Sequence, residues 1–428
     1  MIMSMIRPET EMKDSGIEWI GDIPESWTIR PLKSLYTLTT GFTPNSKDDS
    51  LYDENGETWV TIGDLKGDII YNSKQKISKK VADMHRAEMT KQGSLMYSFK
   101  LSVGTVAVAG KDLFTNEAIA SFLPKNRHGN LHYLKYASSL IIGNANTNIY
   151  GAFIMNQQLI LNAPLPLPSL DEQQAIADYL DETCSKIDEI IAEAKASIDE
   201  YKELKQSVIF EAVTKGLNKN VEMKDSGIEW IGEIPVDWVV KKFKYVATVN
   251  TNLVSPIGYE DYHQIAPDCI EKDSGRIIKE RTVSEAGIES WNQLFKQGQL
   301  IYSKIRPTLN KVIIAPYDGL CSADMYPLDV HENIYFVQFV MLSKYFVGQV
   351  GLITQDRVKM PKINQDELSN VYVAVPEKTE QKEIVDWLNV QLPKYDSLIT
   401  EKESLINDLE AYKKSLIYEV VTGKRRAV

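Results

Sequence analysis

Two long stretches of this chain carry a repeating pattern of apolar positions that is typical of a helix. In the first stretch, the seam positions recur at intervals that alternate between four and three, with one slip, at Ile176, Leu180, Thr183, Ile187, Ile190, Ala194, Ile198, Tyr201, Leu204 and Val208. This heptad-like spacing places the side chains along one face of a helix. Ser169 and Glu172 form a capping-box pattern at its start, and Gly216 marks its end.

The second stretch lies at the C-terminal end of the chain. Its seam positions are Ile384, Leu388, Leu392, Tyr395, Leu398, Leu405, Leu409, Tyr412 and Leu416, and Gly423 follows them. Pro393 lies inside this stretch and removes a backbone donor, so we expect a kink or break near residues 389–393. Because an exposed apolar seam is unfavourable in water, we expect the two helices to pack against each other, antiparallel.

The segments before the two helices contain short β-branched runs bounded by turn residues. In the first segment, "TGFTPNSKDD" predicts a loop, "ETWVTIGDLKGDII" a strand, a turn and a strand, "GSLMYSFKLSVGTVAVAG" a hairpin, and "NLHYLKYASSLI" a helix. The predicted fold class is therefore α+β, with two mixed, β-rich α/β domains separated by two long antiparallel coiled-coil helices.

The chain also repeats itself. "MKDSGIEWIGDIPESW" at residues 12–27 returns as "MKDSGIEWIGEIPVDW" at residues 223–238, with 13 of 16 positions identical. Later pairs follow in the same order, including "GSLMYS" with "GQLIYS" and "KQSVIFEAVTKG" with "KKSLIYEVVTGK". We interpret this as a pseudo-twofold internal duplication. The predicted divisions are an N-terminal segment at 1–22, a globular domain at 23–165, a long helix at 166–222, a second globular domain at 223–372 and a second long helix at 373–428.

Composition and charge limit the class of protein. The 428 residues are 43% hydrophobic, enough for two or three globular domains, and the net charge is -11. Residues 166–222 alone hold 13 acidic and 6 basic side chains, so much of the acid is concentrated in the first helical segment. The overall charge therefore neither favours nor excludes a nucleic-acid partner. No apolar run of about 18 residues and no signal-peptide pattern occurs, which predicts a cytoplasmic protein without membrane contact.

Candidate catalytic motifs are absent from the sequence or have a simpler interpretation. No Asn-Pro-Pro-Tyr or Asp-Pro-Pro-Tyr run that could hold a flipped adenine is present, nor a glycine-rich turn for a methyl donor. "GTVAVAGKD" departs from a P-loop in spacing and final residue, so we interpret it as a hairpin strand. The chain is predicted to be non-catalytic.

Metal ligation is not predicted either. "PDCIEK" at 267–272 lacks the second acid of a nuclease site, and an ordinary turn is the favoured interpretation. His128 and His132 are four residues apart, but no cysteine or carboxylate stands in register with them. The three cysteines are widely spaced and predict neither disulfides nor a metal knuckle.

The duplicated order of these motifs resembles the specificity subunit of a type I restriction-modification enzyme. The resemblance is carried by "GIEWIGDIPESW" and its copy "GIEWIGEIPVDW", by "TGFTP" and "ETWVTIGDL", and by the junction "LPLPSLDEQQAI". The second junction, "VAVPEKTEQKEI", keeps Pro376, Glu380 and Gln381. The resemblance covers the chain after about residue 12. The second half has "TVNTNLVSPIGYEDYHQI" in place of the "TGFTP" segment, which puts the correspondence in doubt at residues 248–265.

This resemblance implies a division of labour. The domains at 23–165 and 223–372 would be target-recognition domains, each reading half of a bipartite, gapped target in double-stranded DNA. The two helices would serve as spacer and as docking surface for two copies of a DNA adenine methyltransferase subunit, and restriction subunits can join such complexes. It implies no cofactor on this chain, since S-adenosylmethionine, and ATP and Mg²⁺ where restriction occurs, belong to the partner subunits.

Candidate DNA contacts are cations and amides in loops, because arginine, lysine, asparagine and glutamine read base edges and phosphates. In the first domain these are Lys74, Lys76, Lys79, Lys80, Arg86, Lys91, Lys100, Asn144, Asn146 and Asn148. In the second domain they are Lys304, Arg306, Lys311, Gln355, Arg357, Lys359 and Lys362. The loops around Asn148 and Arg357 occupy equivalent places in the two halves, which makes them the sharpest candidates.

A bland interpretation stays open beside the DNA-reading one. Lysine runs such as Lys79 and Lys80 are most often solvated surface, and Arg306 before Pro307 could be a structural cation. The alternative function is a non-catalytic coiled-coil scaffold whose globular ends bind protein partners. The two functions differ in salt dependence, since only a DNA reader releases counterions from phosphates when it binds.

Overall fold

The computed structural model describes residues 5–100, 102–147, 153–357 and 359–427. The chain forms two compact units: the first unit comprises residues 1–193 and 405–428, and the second unit comprises residues 194–404. Each unit therefore contains one globular domain and part of both long helices.

The described α-helices include two that are far longer than the rest. All eight are Lys79–Met84, Leu131–Ala137, Gln157–Asn162, Leu170–Lys215, Ile334–Leu342, Lys344–Thr354, Gln365–Ser369 and Lys378–Val421. Leu170–Lys215, 46 residues, is called the first long helix, and Lys378–Val421, 44 residues, the second long helix. Short 3-10 helices lie at Glu9–Glu11, Leu32–Ser34, Asp49–Leu51, Ile62–Asp64, Arg86–Glu88, Ser138–Asn144, Phe243–Tyr245, Pro267–Cys269 and Pro307–Leu309.

The predicted ends of the first long helix are confirmed. The Ser169 hydroxyl accepts the Glu172 N–H at 3.3 Å, while the Glu172 carboxylate accepts the Ser169 N–H at 3.4 Å. At the other end, Gly216 takes a left-handed φ of +71°, which a residue without Cβ adopts most readily. The capping residues therefore locate this helix from sequence alone.

Within each unit, the segments of the two long helices run antiparallel. In the first unit, Lys413 Nζ donates to Asp188 Oδ2 at 2.6 Å, and Tyr133 Oη lies within 3.2 Å of the carbonyls of both Pro166 and Val421. In the second unit, Lys205 Nζ donates to Asp396 Oδ1 at 2.6 Å. A Cβ on Gly216, after the end of the first helix, would lie 2.9 Å from Glu380 at the start of the second.

The buried seam of the first long helix differs in phase from the predicted one. Ile176, Leu180, Ile187, Ala194 and Ile198 are buried as expected. However, Cys184 and Ile191 are also buried, whereas Thr183 is partly exposed and Ile190 and Leu204 are exposed. Adjacent apolar residues such as Ile190 and Ile191 allow two seams one residue apart, and tertiary packing selects the second.

The prediction near Pro393 was a kink or a break, and the second long helix continues through Pro393 without a break. Pro393 is exposed, while Leu388 and Leu392 on the other face are buried. Packing of the buried face offsets the lost backbone hydrogen bond. The seam prediction was also wrong further along, because Ile406 is buried and Leu398, Leu405 and Tyr412 are exposed.

The first unit contains two main sheets. In the larger sheet the strand order is Tyr36–Thr40, Ile119–Pro124, Leu95–Ser98, Val106–Ala109 and Ile69–Ile70. In the smaller sheet the order is Phe114–Thr115, Tyr52–Val60 and Gln75–Ile77. Three two-stranded ribbons are formed by Met12–Asp14 with Asp22–Pro24, Thr28–Pro31 with Pro164–Leu167, and Asn146–Thr147 with Phe153–Ile154. The hairpin, strand and helix predictions for this domain are confirmed.

The second unit contains two four-stranded sheets. One has the order Ala247–Val249, Met325–Val330, Leu300–Ser303 and Val312–Ile314. The other has the order Leu253–Val254, Asn292–Phe295, Gly319–Cys321 and His263–Ile265. Two ribbons are formed by Met223–Asp225 with Glu233–Pro235 and by Val239–Lys242 with Tyr372–Val375.

The duplication extends to strand pairing, including the region where the sequences diverge. In the first unit, Phe114–Thr115 pairs in parallel with Tyr52–Val60. In the second unit, Gly319–Cys321 pairs in parallel with His263–Ile265. Residues 248–265, whose correspondence was in doubt, therefore keep the parallel pairing of the first half. The structure confirms the predicted fold class of mixed, β-rich domains with long antiparallel helices and internal duplication.

Across the described ranges, no single helix is both long and apolar enough to cross a membrane. Only Ile334–Leu342 and Lys344–Thr354 taken together meet the criteria of length and composition, and they are bent by 60°. Cys184, Cys269 and Cys321 are free thiols and are buried.

Candidate nucleic-acid interface

Two loops of the second unit lie side by side and bring together cations that are far apart in sequence. The Arg306 N–H donates to the Pro361 carbonyl at 2.7 Å, and the Ile363 N–H donates to the Lys304 carbonyl at 2.9 Å. We call residues 303–311 and 355–363 the basic loop pair. It carries Lys304, Arg306, Lys311, Gln355, Arg357, Lys359 and Lys362, which are all the DNA-contact candidates of the second domain.

The backbone of the basic loop pair is strained. Arg306, Asn310 and Met360 have φ angles of +43°, +46° and +48°, a region that favours glycine. Across the described chain, Asp273 at +58° is the only other non-glycine residue with a positive φ. Such conformations cost about 1–3 kcal/mol each and concentrate at functional sites. The strain marks these loops as a candidate site independently of their charge.

Some candidate side chains of the basic loop pair are free to meet a ligand. Arg306, Gln355 and Lys359 are exposed, and no other described residue forms a hydrogen bond or ion pair with their side chains. The Lys304 ammonium lies 5.2 Å from the centre of the Tyr326 ring. Arg306 and Lys359 are therefore the most available cations of the pair.

The other cations of the pair have partners within the unit. Lys362 Nζ donates to Asp324 Oδ1 at 2.8 Å, and Lys311 donates to a backbone carbonyl. Arg357 pairs with Glu367, whose pKa is lowered chiefly by the hydrogen bond from Arg357. Arg357, a sharp candidate from sequence, therefore has part of its guanidinium engaged within the unit.

The lysine-rich segment of the first unit forms one edge of its smaller sheet. Lys74 precedes the edge strand Gln75–Ile77, and Lys76 lies within it. The helix and turn that come next carry Lys79, Lys80 and Arg86. Lys76 is partly buried and the other four are exposed. Asp53 and Glu54 lie beside Lys74 and Lys76 in a shallow groove, so this surface is mixed in charge.

Three further candidates of the first unit are engaged internally. Lys91 Nζ donates to Asp112 Oδ2 at 3.0 Å, Lys100 lies 3.9 Å from Glu117, and Asn144 Nδ2 donates to the carbonyl of Leu159 at 2.6 Å. Asn146 is exposed in a short ribbon. Asn148 lies outside the described residues.

The Lys91 ion pair has an exact structural counterpart in the other half. Lys296 Nζ donates to Asp318 Oδ2 at 2.9 Å, and the next N–H in each case donates to the same aspartate at 2.8 Å. Hydrogen bonds from the Gln92 backbone N–H and from Lys91 lower the pKa of Asp112. The string "KQG" stands at both places, so its duplication is the signal that could have indicated a structural role for Lys91.

The sequence did not predict that the tryptophan of each repeated motif contacts the start of a long helix. Each long helix begins against the tryptophan of one motif copy: Trp27 Nε1 donates to Glu172 Oε1 at 3.3 Å, and Trp238 Nε1 donates to Glu380 Oε2 at 3.0 Å. Burial raises the pKa of Glu380, and the hydrogen bond from Trp238 partly offsets that effect. Both tryptophans are 1% exposed.

The Glu-Gln pairs at the helix starts provide a second equivalent contact. Gln173 and Gln381 are buried, and each donates to the carbonyl five residues before it, at 3.0 and 2.9 Å. Each also accepts the N–H of a helix N-cap, Asn130 at 3.2 Å and Asn333 at 2.9 Å. These bonds attach both globular domains to the long helices in the same way.

Two features that the sequence raised as candidate metal chemistry have structural roles. Asp268 of "PDCIEK" accepts two hydrogen bonds from Arg281, at 3.0 and 3.1 Å. His128 precedes the N-cap of the helix that contains His132. Within the part of the chain that the structure describes, no group of three or more His, Cys, Asp or Glu side chains is arranged to hold a metal ion.

Comparison with known proteins finds one family model and several relatives that are similar to this chain. Residues 24–200 match the family model described as type I restriction modification DNA specificity domain. Over 241 residues, which are 53% of this chain and 54% of the relative, the sequence is 33% identical to the type I restriction enzyme EcoDI specificity subunit of Escherichia coli. Over this part of its length, the chain is similar to type I specificity subunits. The matched region thus spans about half the length of that relative, at 54%.

Other specificity subunits match over more of their length. The type I restriction enzyme MjaIX specificity subunit of Methanocaldococcus jannaschii is 23% identical over 466 aligned positions, covering 100% of this chain and 99% of the relative. A solved chain from a study of complex assembly and conformational transition of the type I R-M system shares the fold, with a TM-score of 0.68 and 12% identity. The likeness covers 94% of this chain and 99% of that chain. The family model is described as a DNA specificity domain, and the relatives are named specificity subunits.

Proposed function

We propose that this chain reads a bipartite, gapped sequence in double-stranded DNA and docks two copies of a DNA adenine methyltransferase subunit. Residues 23–165 and 223–372 serve as target-recognition domains, and the helical regions at 166–222 and 373–428 serve as spacer and docking surface. The observation that carries the proposal is the repetition of the attachment contacts, Trp27 with Glu172 and Trp238 with Glu380, beneath domains whose loops differ.

The attachment contacts are the same in both halves while the loops differ, because the proposed function places different demands on them. Two identical partners require two equivalent surfaces, and the duplicated motifs supply them. Two different half-sites require different side chains at the DNA, and the basic loop pair has no sequence copy in the first half. Arg306 is suited to a guanine edge, which arginine binds with two hydrogen bonds, and Lys359 to a phosphate.

The proposal assigns the reaction chemistry to the partners. S-adenosylmethionine would be bound by the methyltransferase subunits, and ATP and Mg²⁺ by restriction subunits where these join. The proposed complex belongs to a prokaryotic defence system and modifies genomic DNA. We therefore infer that it works in the cytoplasm.

Arg306→Ala is expected to weaken binding of the full chain, assembled with its methyltransferase subunit, to DNA carrying its motif. A lost base contact costs about 1–3 kcal/mol, and a lost phosphate contact lowers the slope of log affinity against log salt by about one. The measurement is fluorescence anisotropy with labelled duplex at several salt concentrations.

Lys344→Ala is the matched control, since Lys344 is exposed in the same unit but outside the basic loop pair. Equal affinities for the two variants would exclude Arg306 from the interface, and an assembled complex that binds no duplex would favour the protein scaffold.

A further inference from the structure

Asp396 joins three parts of the second unit. It lies on the second long helix, and its Oδ1 accepts a hydrogen bond from Lys205 Nζ of the first long helix at 2.6 Å. Its Oδ2 accepts a hydrogen bond from Arg276 Nη2 at 2.5 Å. Arg276 belongs to the globular domain, in the turn formed by residues 271–276. One carboxylate therefore holds both helices and a recognition-domain loop.

The internal duplication shows which of these contacts is additional. Asp188 and Lys413 form the equivalent helix-to-helix pair in the first unit, since Asp396 follows Asp188 by 208 positions and Lys413 follows Lys205 by the same 208. Among the described residues, Asp188 has no second cation within ion-pair distance. Its side chain is 57% exposed, against 24% for Asp396. The contact to a recognition-domain loop is therefore a feature of the second unit.

The turn held by Asp396 also contacts the basic loop pair. The Asp273 N–H donates to the carbonyl of Asn310 at 3.3 Å, and the Glu271 N–H closes the turn on the carbonyl of Arg276 at 3.0 Å. Asp273 and Asn310 both have left-handed φ angles, as does Arg306 in the same loop as Asn310. The turn that contains Arg276 and Asp273 is therefore bonded to Asn310, which lies in the same loop as Arg306, the candidate DNA-contacting arginine.

We propose that Asp396 is a positioning residue for recognition of the second half-site. Through Arg276 it fixes the turn, and through the turn the basic loop pair, relative to the long helices of the same unit. Because the helices set the distance between half-sites, the strictness of the gap depends on this contact. This inference rests on the proposed function of the chain as a reader of a gapped target.

The test compares Asp396→Asn with Asp188→Asn in the full chain assembled with its methyltransferase subunit. Both variants remove one carboxylate charge from a helix-to-helix pair, but only the first releases a recognition-domain loop. Methylation rates are measured on duplexes that carry the cognate gap or a gap one base pair longer or shorter. Asp396→Asn is expected to lower the ratio of cognate to altered-gap methylation by about tenfold or more, as small misplacements at a distance do. Asp188→Asn is expected to keep the wild-type ratio.

Two variants of Arg276 separate positioning from folding. Arg276→Met leaves the pair between Lys205 and Asp396 intact and is expected to reproduce the loss of gap discrimination. Arg276→Lys keeps a cation that can pair with Asp396 and is expected to retain most of the wild-type gap discrimination. Wild-type discrimination in both Asp396→Asn and Arg276→Met would overturn the inference, as would an equal loss in Asp188→Asn. A wild-type complex that methylates no gapped sequence would instead overturn the proposed function, and the inference with it.

Discussion

Exchange of residues 243–371 for the equivalent segment of a type I specificity subunit is expected to replace one half of the recognised sequence and leave the other half unchanged. The strands Val239–Lys242 and Tyr372–Val375 pair with each other, with Lys242 opposite Tyr372, so both ends of the exchanged segment lie side by side. The ribbon, the repeated motif and the long helices all remain. The new domain therefore keeps the contact of Trp238 with Glu380, and its own helix N-cap has to supply the N–H that Asn333 donates to Gln381.

The exchanged chain is expressed with its methyltransferase subunit, and the methylated motif is read by single-molecule sequencing. The control exchanges the same segment for itself through the same cloning junctions. A change in both half-sites would contradict the model of two independent readers. The exchange also removes Arg276, so a change in gap strictness with an intact first half-site agrees with the positioning role of Asp396.

Trp238→Ala is expected to destabilise the second unit by about 3–5 kcal/mol, the cost of deleting a large buried aromatic side chain. Trp238 is 1% exposed and belongs to the main core of that unit. The truncation also leaves the Glu380 carboxylate without its indole donor. The thermal midpoint of the second unit should fall by roughly 2–4 °C for each kcal/mol lost.

Trp291→Ala is the matched control for this prediction, because Trp291 lies in the same unit and is 61% exposed. Surface substitutions of this kind change stability by about 0.5 kcal/mol or less. Equal shifts for the two variants, measured by differential scanning calorimetry of the full chain, would show that the contact between the motif and the helix is not a main source of stability.

Local signals in the sequence were sufficient for much of the fold. The capping pattern of Ser169 and Glu172 and the glycine at 216 located the first long helix, because helix ends depend on nearby residues. The hairpins followed from alternating β-branched residues. The phase of the helix seam did not follow, since Ile190 and Ile191 are equally apolar and only the packed partner distinguishes them. The continuity of the second long helix at Pro393 did not follow either, since it depends on packing of the buried face that includes Leu388 and Leu392.

The candidate site was predictable in composition and not in geometry. The sequence indicated Arg306 and Lys359 as candidates, but their proximity arises from a backbone pairing between loops more than fifty positions apart. The ion-pair partners of Lys91 and Lys362 could not be predicted either. Asp112 and Asp324 are distant from them in sequence, and only the folded sheets bring them close. Among the described non-glycine residues with a positive φ, Asp273 and Asn310 are of types that adopt this conformation more readily, whereas Arg306 and Met360 carry no such signal in the sequence.

The central claim is that this chain selects the DNA sequence that a separate methyltransferase modifies. It is tested most directly by single-molecule sequencing of N6-methyladenine in genomic DNA of the native host and of a strain that lacks this gene but retains an active methyltransferase subunit. We predict one bipartite, gapped motif that is methylated in the host and unmethylated in the deletion strain, and that returns when the gene is restored. Full retention of every methylated motif in the deletion strain would contradict the account.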